Sequence, residues 1–318
     1  MKNTKVIACV LSAAMLAGVF SGCSGKKVTN ISTEEFTKAC DKTLKLEEVD
    51  IEDITDLEQE DLEDGIYLSL EQEDIEDMGI GDYIDMYLKS LDLDDIIEAE
   101  DIESAAVAAK MSDPSVIYEV EEPEDLEDVE LEGAYALQLT LADDDKAADI
   151  MEFIADKLDD LDLDVKKDLS KQEYYAGKND GYLKVHVEVD KLVKIVLENE
   201  DFQDALEDSD MEDEITEALE ALTGEAVVTV EVSGANVLIL VGFGVNTDAS
   251  TLGDFVKAFG ASDPTKIPHN EKVGEALVEG VADAVATYIE KAQEAAERVR
   301  QHNDEIQVVD DAIESQLG

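Results

Sequence analysis

Three histidines, three cysteines and 82 carboxylates are the residues of this 318-residue chain that could do chemistry. Paired carboxylates supply the acid and the nucleophile of glycoside hydrolysis. Here more than a quarter of the residues are acidic, so such pairs occur at every spacing and none stands out. Trp is absent and aromatics are few, which leaves little on which a sugar ring would stack. His186, His269 and His302 are far apart, and none belongs to the HExxH pattern that sets two imidazoles on one helical face around zinc. His186 alternates with Val185 and Val187, which predicts a solvated side chain on the polar face of a strand rather than a base. Asp208, Asp210 and Glu212 fall at positions 1, 3 and 5 of a calcium loop and Ile215 at position 8. Asp213 stands where glycine makes the bend, however, and Leu219 where a bidentate Glu closes the site. That excludes an EF-hand and leaves weak, diffuse binding of divalent cations to the acidic surface. Gly242-Phe243-Gly244-Val245-Asn246-Thr247 lies between a strand and a helix as a dinucleotide loop would, but Thr247 replaces the third glycine and a tight turn is expected instead. There is no GxSxG and no phosphate loop. No catalytic residue, dedicated metal site or cofactor is expected.

The thiols point elsewhere. Residues 1–23, MKNTKVIACVLSAAMLAGVFSGC, have a basic start at Lys2 and Lys5, an apolar run from Val6 to Phe20, and then small residues. This is the layout of a secretory signal peptide. The run of about 15 residues falls short of the roughly 20 that span a bilayer. Phe20-Ser21-Gly22-Cys23 resembles the lipobox of bacterial lipoproteins, with Phe20 where that family usually has an aliphatic residue. The resemblance implies transfer of a diacylglyceryl group to the Cys23 thiol, cleavage between Gly22 and Cys23, and acylation, such as by palmitate, of the new amino group. Without acylation the same stretch would be an ordinary secretory signal with an incidental cysteine. Ser24-Gly25-Lys26-Lys27 follows as a polar tether. Two or three acyl chains anchor stably where one binds only marginally. The chain also looks like small acidic lipoproteins of unknown function from low-GC Gram-positive bacteria, which open with a Ser/Thr-x-Glu-Phe helix past the tether. That likeness covers residues 1 to about 45 and carries no functional residue beyond Cys23. Cys9 leaves with the signal, so Cys40 has no disulfide partner. With Phe36 and Leu44 it recurs every four residues on one helical face, which predicts a small buried side chain rather than a reactive thiol.

A formal charge of −58 makes nucleic-acid binding untenable and favours basic proteins or peptides as partners. Removing residues 1–22 takes away Lys2 and Lys5 and leaves −60. Over half of this lies between Leu46 and Glu132, where 35 acids face only Lys89 and Lys110. Hydrophobic residues still make up 44% of the chain, enough for a core and too many for a disordered acidic tail.

The elements follow from caps and periodicity. Ser32 and Glu35 form a capping box at the start of a helix. Gly65–Leu70 reads as a strand, and Ile84, Tyr87, Leu88 and Leu91 have helical spacing. Ala99–Lys110 fits helix by its alanines and strand by its neighbours. Strands are expected at Val116–Val120 and Tyr135–Leu141, followed by a helix opened by Asp143, Asp144 and Asp145 with Ile150, Met151, Ile154, Leu158 and Leu161 inward. Leu183–Val189 reads as a strand that turns at Asp190-Lys191 and returns over Leu192–Leu197, and Phe202–Leu222 as helix. A hairpin runs Ala226–Val232, turns through Ser233–Asn236 and returns over Val237–Val241; Asp248 then caps a helix carrying Leu252, Phe255, Val256 and Phe259 and closed by Gly260. Sliding this unit by 102 residues superposes Leu137 on Ile239 and Phe153 on Phe255, a candidate ββα duplication. From Glu271 the chain reads as one long C-terminal helix or two, with a heptad seam from Tyr288 to Ile313 that either packs back onto the protein's own sheet or, with both arginines, Arg298 and Arg300, offers a route to self-association.

The expected fold class is α+β: antiparallel hairpins with packed helices, a candidate ββα duplication and a long C-terminal helix. The organisation expected is a signal peptide at 1–22, a lipid-anchored tether at 23–31, an acidic α+β region at 32–132, an α+β region with strand-turn-helix units at 133–262 and a helical region at 263–318. The function expected is a non-catalytic binding or structural module, lipid-anchored on the extracytoplasmic face of the cell membrane. A calcium- or cation-responsive surface protein is the alternative, and a hydrolase using a carboxylate pair the third reading.

Overall fold

The computed structural model describes residues 28–77, 96–114, 128–198, 212–247, 249–261 and 263–276, together with Val116, Gln203 and Val278. Cys23 and the signal, the helix expected over Ile84–Leu91, positions 117–120 of the expected strand, Asp208, Asp210, Asp248 and the seam from Tyr288 to Ile313 lie outside the described residues. The chain divides into two compact units, Met1–Gly274 and Glu275–Gly318.

The first unit is α+β, built on one eight-stranded sheet. Its strands are β1 (Glu47–Glu48), β2 (Ile66–Glu71), β3 (Ile102–Met111), β4 (Leu131–Leu141), β5 (Tyr174–Ala176), β6 (Asp180–Glu188), β7 (Gly224–Ser233) and β8 (Asn236–Val245). They lie in the order β1-β2-β3-β4-β8-β7-β6-β5, antiparallel throughout except for the short β1/β2 pair. The helices are α1 (Thr33–Ala39), α2 (Gln59–Asp64), α3 (Gln72–Asp77), α4 (Lys146–Asp160), α5 (Val189–Glu198), α6 (Glu212–Ala221) and α7 (Ser250–Phe259). β4 crosses the 132/133 boundary expected between two regions, and the sheet is continuous through it.

The strand order is palindromic, each of β1 to β4 occupying the place that β5 to β8 occupy on the other side. At its centre Leu137 of β4 stands directly opposite Ile239 of β8, the pair that the 102-residue slide superposes. The outer pairs break the correspondence, β1 running parallel to β2 and β5 antiparallel to β6. The helices do not obey it: α7 packs on β4 and β8, whereas α4, which follows β4, packs on β6 and β7.

Ala99–Lys110 resolves as a short 3-10 turn, Ala99–Asp101, and then strand β3. Intrinsic propensity would make these alanines helical, but packing decides. Ala106 and Ala108, with Ala134 and Ala136 of β4, form a low floor on which α1 and α7 rest. Phe36 of α1 stacks on Phe259 of α7, ring centroids 4.3 Å apart and nearly parallel. The capping box of Ser32 and Glu35 is formed. Leu192–Leu197 does not return as a strand; it belongs to α5. Val189, Leu192, Val193 and Val196 satisfy the i, i+3, i+4, i+7 template, which outweighs the alternation of Val193, Ile195 and Leu197. The turn expected at Asp190-Lys191 is accordingly the first turn of that helix.

Candidate functional site

The feature that sets this fold apart is a buried polar layer on one face of the sheet. On that face Ala106, Gln138, Leu238, Glu231 and Tyr182 follow one another across β3, β4, β8, β7 and β6, then Ala136, Leu240, Thr229 and Lys184, then Ala134, Gly242, Val227 and His186 across β4, β8, β7 and β6. α1 and α7 cover the alanine half; the segment carrying the 3-10 turn Pro264–Lys266 covers β6 and β7. The polar side chains lie between and beneath them.

Residues 28–33, the first four of which fall within the tether expected at 23–31, are sewn into this layer. The Thr29 N–H donates to Glu231 Oε2, and Thr29 Oγ1 donates to the Gly260 carbonyl at 3.3 Å. Asn30 Oδ1 accepts from Asn236 Nδ2 at 2.8 Å, and the Ile31 carbonyl accepts from Gln138 Nε2 at 3.1 Å. Thr33 Oγ1 lies 2.7 Å from Ser104 Oγ and 3.2 Å from Thr140 Oγ1. Backbone groups left in a core without partners are destabilising, and these side chains satisfy a stretch that has no strand of its own.

Glu231 uses its other oxygen, Oε1, for Lys184 Nζ. Both side chains are fully enclosed, at 0% and 2% exposure. The ammonium also lies 4.8 Å from the centre of the Tyr182 ring. Lys184 pairs directly with Thr229 and Glu231 with Tyr182, so the ion pair is diagonal across two strands. Such a pair adds little net stability over an apolar replacement, yet becomes strongly destabilising when one partner is lost. Its consequence here is specificity: Glu231 is satisfied only when β6, β7 and the Thr29 segment are all in place. Sequence reading missed both residues because each alternates with valines or leucines as a solvent-facing residue would. The available signal was their setting, single opposite charges inside two adjoining apolar runs, LKV and VEV.

His186 is likewise buried, 7% exposed, contrary to the solvated polar-face position that alternation predicts. Alternation identifies a face, and here both faces of β6 are covered. Its Nδ1 lies 2.7 Å from the Ile267 carbonyl, and its Nε2 lies 3.0 Å from Glu225 Oε2. Two residues on, the Glu188 N–H donates to His269 Nδ1 at 3.1 Å, and Asn270 Nδ2 donates to the Asp168 carbonyl and to Glu173 Oε1, each at 2.9 Å. The segment from Ile267 to Asn270 is thus clamped along β6 beyond the point where short β5 stops pairing. Burial, then the Lys191 ammonium and His186, holds the His269 imidazole below its usual pKa and keeps Nδ1 an acceptor.

Cys40 is fully buried between α1 and the sheet, and burial pushes its thiol up to about 12. Gly242 and Gly244 lie inside β8 and not in the tight turn expected of them, because the strand runs on to Val245. A Cβ on Gly242 would come within 2.6 Å of Leu252, so the glycine admits α7 onto the sheet. The N-cap of α7 is Ala249, which has no capping side chain. Glu132 replaces it from a distance: its Oε2 accepts from Thr251 N at 3.1 Å and Ser250 Oγ at 2.9 Å. Desolvation raises the Glu132 carboxyl, but these hydrogen bonds outweigh it and hold the group below the ordinary range. Glu132 lines a cavity of about 310 Å³ with Lys110, Asp254, Phe255 and Lys257, where it stays an ionised helix cap.

Among the described residues no group of three or more His, Cys, Asp or Glu is placed to hold a metal ion. His302 and the side chain of Glu212 lie outside the described residues. No family model, curated protein or solved structure matches this chain.

Proposed function

We propose that the protein is a non-catalytic binding or structural module held at the extracytoplasmic face of the cell membrane by lipid on Cys23, with cleavage between Gly22 and Cys23. The observation that carries this reading is the join between anchor and body. Only five residues separate Cys23 from Thr29, where the fold begins with a backbone bond to buried Glu231. An anchor so close to the core holds the whole body at the bilayer rather than trailing it on a long linker.

Two further features support a binding role over a catalytic one. The buried titratable groups Lys184, Glu231, His186 and Cys40 all hold chain segments together. The strongly negative surface favours a basic protein or peptide as partner, and its field reaches only a Debye length of about 8 to 10 Å in ordinary salt. No cofactor is needed beyond the covalent lipid.

The test is detergent phase partition of wild type beside Cys23→Ala in a bacterial host that processes lipoproteins. Wild type is expected in the detergent phase and the variant in the aqueous phase. Equal partition of the two would remove the anchor. A cation-responsive surface remains the second reading, carried by the 35 acids between Leu46 and Glu132.

A further inference from the structure

We propose that the cavity between α7, β3 and β4 binds a free amino acid with an apolar side chain, its ammonium on Glu132 and its carboxylate on Lys110. The site belongs to the folded body and is independent of the lipid on Cys23.

Strand register brings the two charges together. Lys110 pairs with Ala134 in the β3/β4 ladder, so Glu132 is its diagonal neighbour, on the face that carries Ala106, Ala108, Ala134 and Ala136. Diagonal neighbours stand about 7 to 8 Å apart, within reach of long side chains. An ion pair would be the ordinary outcome, yet the two do not form one. Glu132 gives its carboxylate to the first turn of α7, and Lys110 Nζ donates to the Asp64 carbonyl at 3.3 Å. Among the described residues Lys110 has no carboxylate partner, in a chain with 82 acids, whereas Lys38, Lys146 and Lys178 each have one. Both bonds that cap α7 fall on Glu132 Oε2, and an ionised carboxylate has acceptor sites to spare. The fold thus holds apart one donor-only cation and one acceptor-only anion, the two groups that recognise the carboxylate and the ammonium of a zwitterion.

Size and lining narrow the class. The cavity holds about 310 Å³. That is the lower end of the roughly 300 to 1,000 Å³ of small-molecule sites, so it takes one small ligand. Half-buried Leu44 and buried Leu46 and Phe255 give the ligand's side chain an apolar wall. Lys257 and Asp254, both exposed and 3.9 Å apart, add one further charge of each sign, which leaves the charged lining neutral. A body near −58 repels a plain anion and draws a plain cation to every part of its surface, so neither would single out this cavity. A ligand bearing both charges engages Lys110 and Glu132 at once.

Isothermal titration of the full chain in detergent with L-leucine tests the site. Isocaproate, which lacks only the amine, and isoamylamine, which lacks only the carboxylate, are the controls. L-Leucine is expected to bind, and each control to bind at least about tenfold more weakly for want of one hydrogen bond to a charged group. Lys110→Met and Glu132→Gln are expected to weaken L-leucine by a similar factor. The glutamine keeps a carbonyl oxygen for Thr251 N and Ser250 Oγ, so α7 stays capped. Thr43→Trp, at an exposed position on the lining, is expected to abolish binding by filling the cavity with both charges intact. No binding of L-leucine up to the millimolar range overturns the proposal. Controls that bind as tightly as L-leucine, or variants that bind it as wild type does, overturn it equally. The titration reads the same whether or not Cys23 is acylated, so failure of the anchor and failure of this site are told apart.

Discussion

Lys184 and Glu231 illustrate how a charge can organise a core without stabilising it much. Truncating either one strands the other in an apolar interior, so Lys184→Ala or Glu231→Ala is expected to lower unfolding stability by about 3 to 5 kcal/mol in urea titrations. Replacing both, as Lys184→Met with Glu231→Leu, is expected to cost less than either single change, although the Thr29 N–H then loses its acceptor. Equal and additive losses would show that the pair is not coupled. His269 makes a second residue-scale prediction. Its surroundings are His186 and Glu188 on β6, Lys191 and Asp190 on α5 and its own neighbour Glu271, while Glu225 on β7 faces His186. Because its folded pKa lies below 6.5, the unfolded chain binds the proton more readily. Its contribution is therefore present above pH 6.5 and is lost as pH falls from there toward the folded pKa. His269→Asn keeps an acceptor near the Nδ1 position and does not titrate. Wild type should lose more in Tm than the variant between pH 8 and about pH 5. Identical losses would remove His269 from the clamp.

At the scale of elements, much was legible because local signals and packing agree. The capping box, the Ser233–Asn236 hairpin, the stripe of α4, the αL glycine closing α7 and the burial of Cys40 follow from spacing and residue type alone. What was not legible depends on contacts remote in sequence. β3 is a strand because α1 and α7 need a flat floor of alanines, and His186 is inside because Ile267, 81 residues away, covers it. Glu132 caps a helix 118 residues downstream, which no local motif announces. α5 was misread because valines and isoleucines satisfy both periods over so short a run. The junction of α1 with α7 is the sharpest test of the packing. Phe36→Ala removes a fully buried ring stacked on Phe259 and is expected to cost about 3 to 5 kcal/mol. Ser32→Ala, which removes only the cap, should cost about 1 kcal/mol. A Phe36 variant no weaker than the Ser32 variant would contradict the packing of α1 on the sheet.

For the molecule as a whole, charge and the proposed anchor bear on one another. A folded body at −58 repels itself, so its melting midpoint should rise with added salt as screening shortens the Debye length. Calcium at matched ionic strength should raise it further if divalent ions neutralise the Leu46–Glu132 acids, and an unchanged midpoint would remove the cation-responsive reading. Folding that does not respond to salt would contradict the self-repulsion itself. The sheet and its sewn-in leading segment then form an acidic body whose core begins at Thr29, six residues after Cys23. Intact-mass and peptide mass spectrometry of protein extracted from membranes tests that arrangement most directly. The account predicts a chain that starts at Cys23 and carries a diacylglyceryl group on its thiol. A chain that retains residues 1–22, or begins at Cys23 with a free thiol, would contradict it.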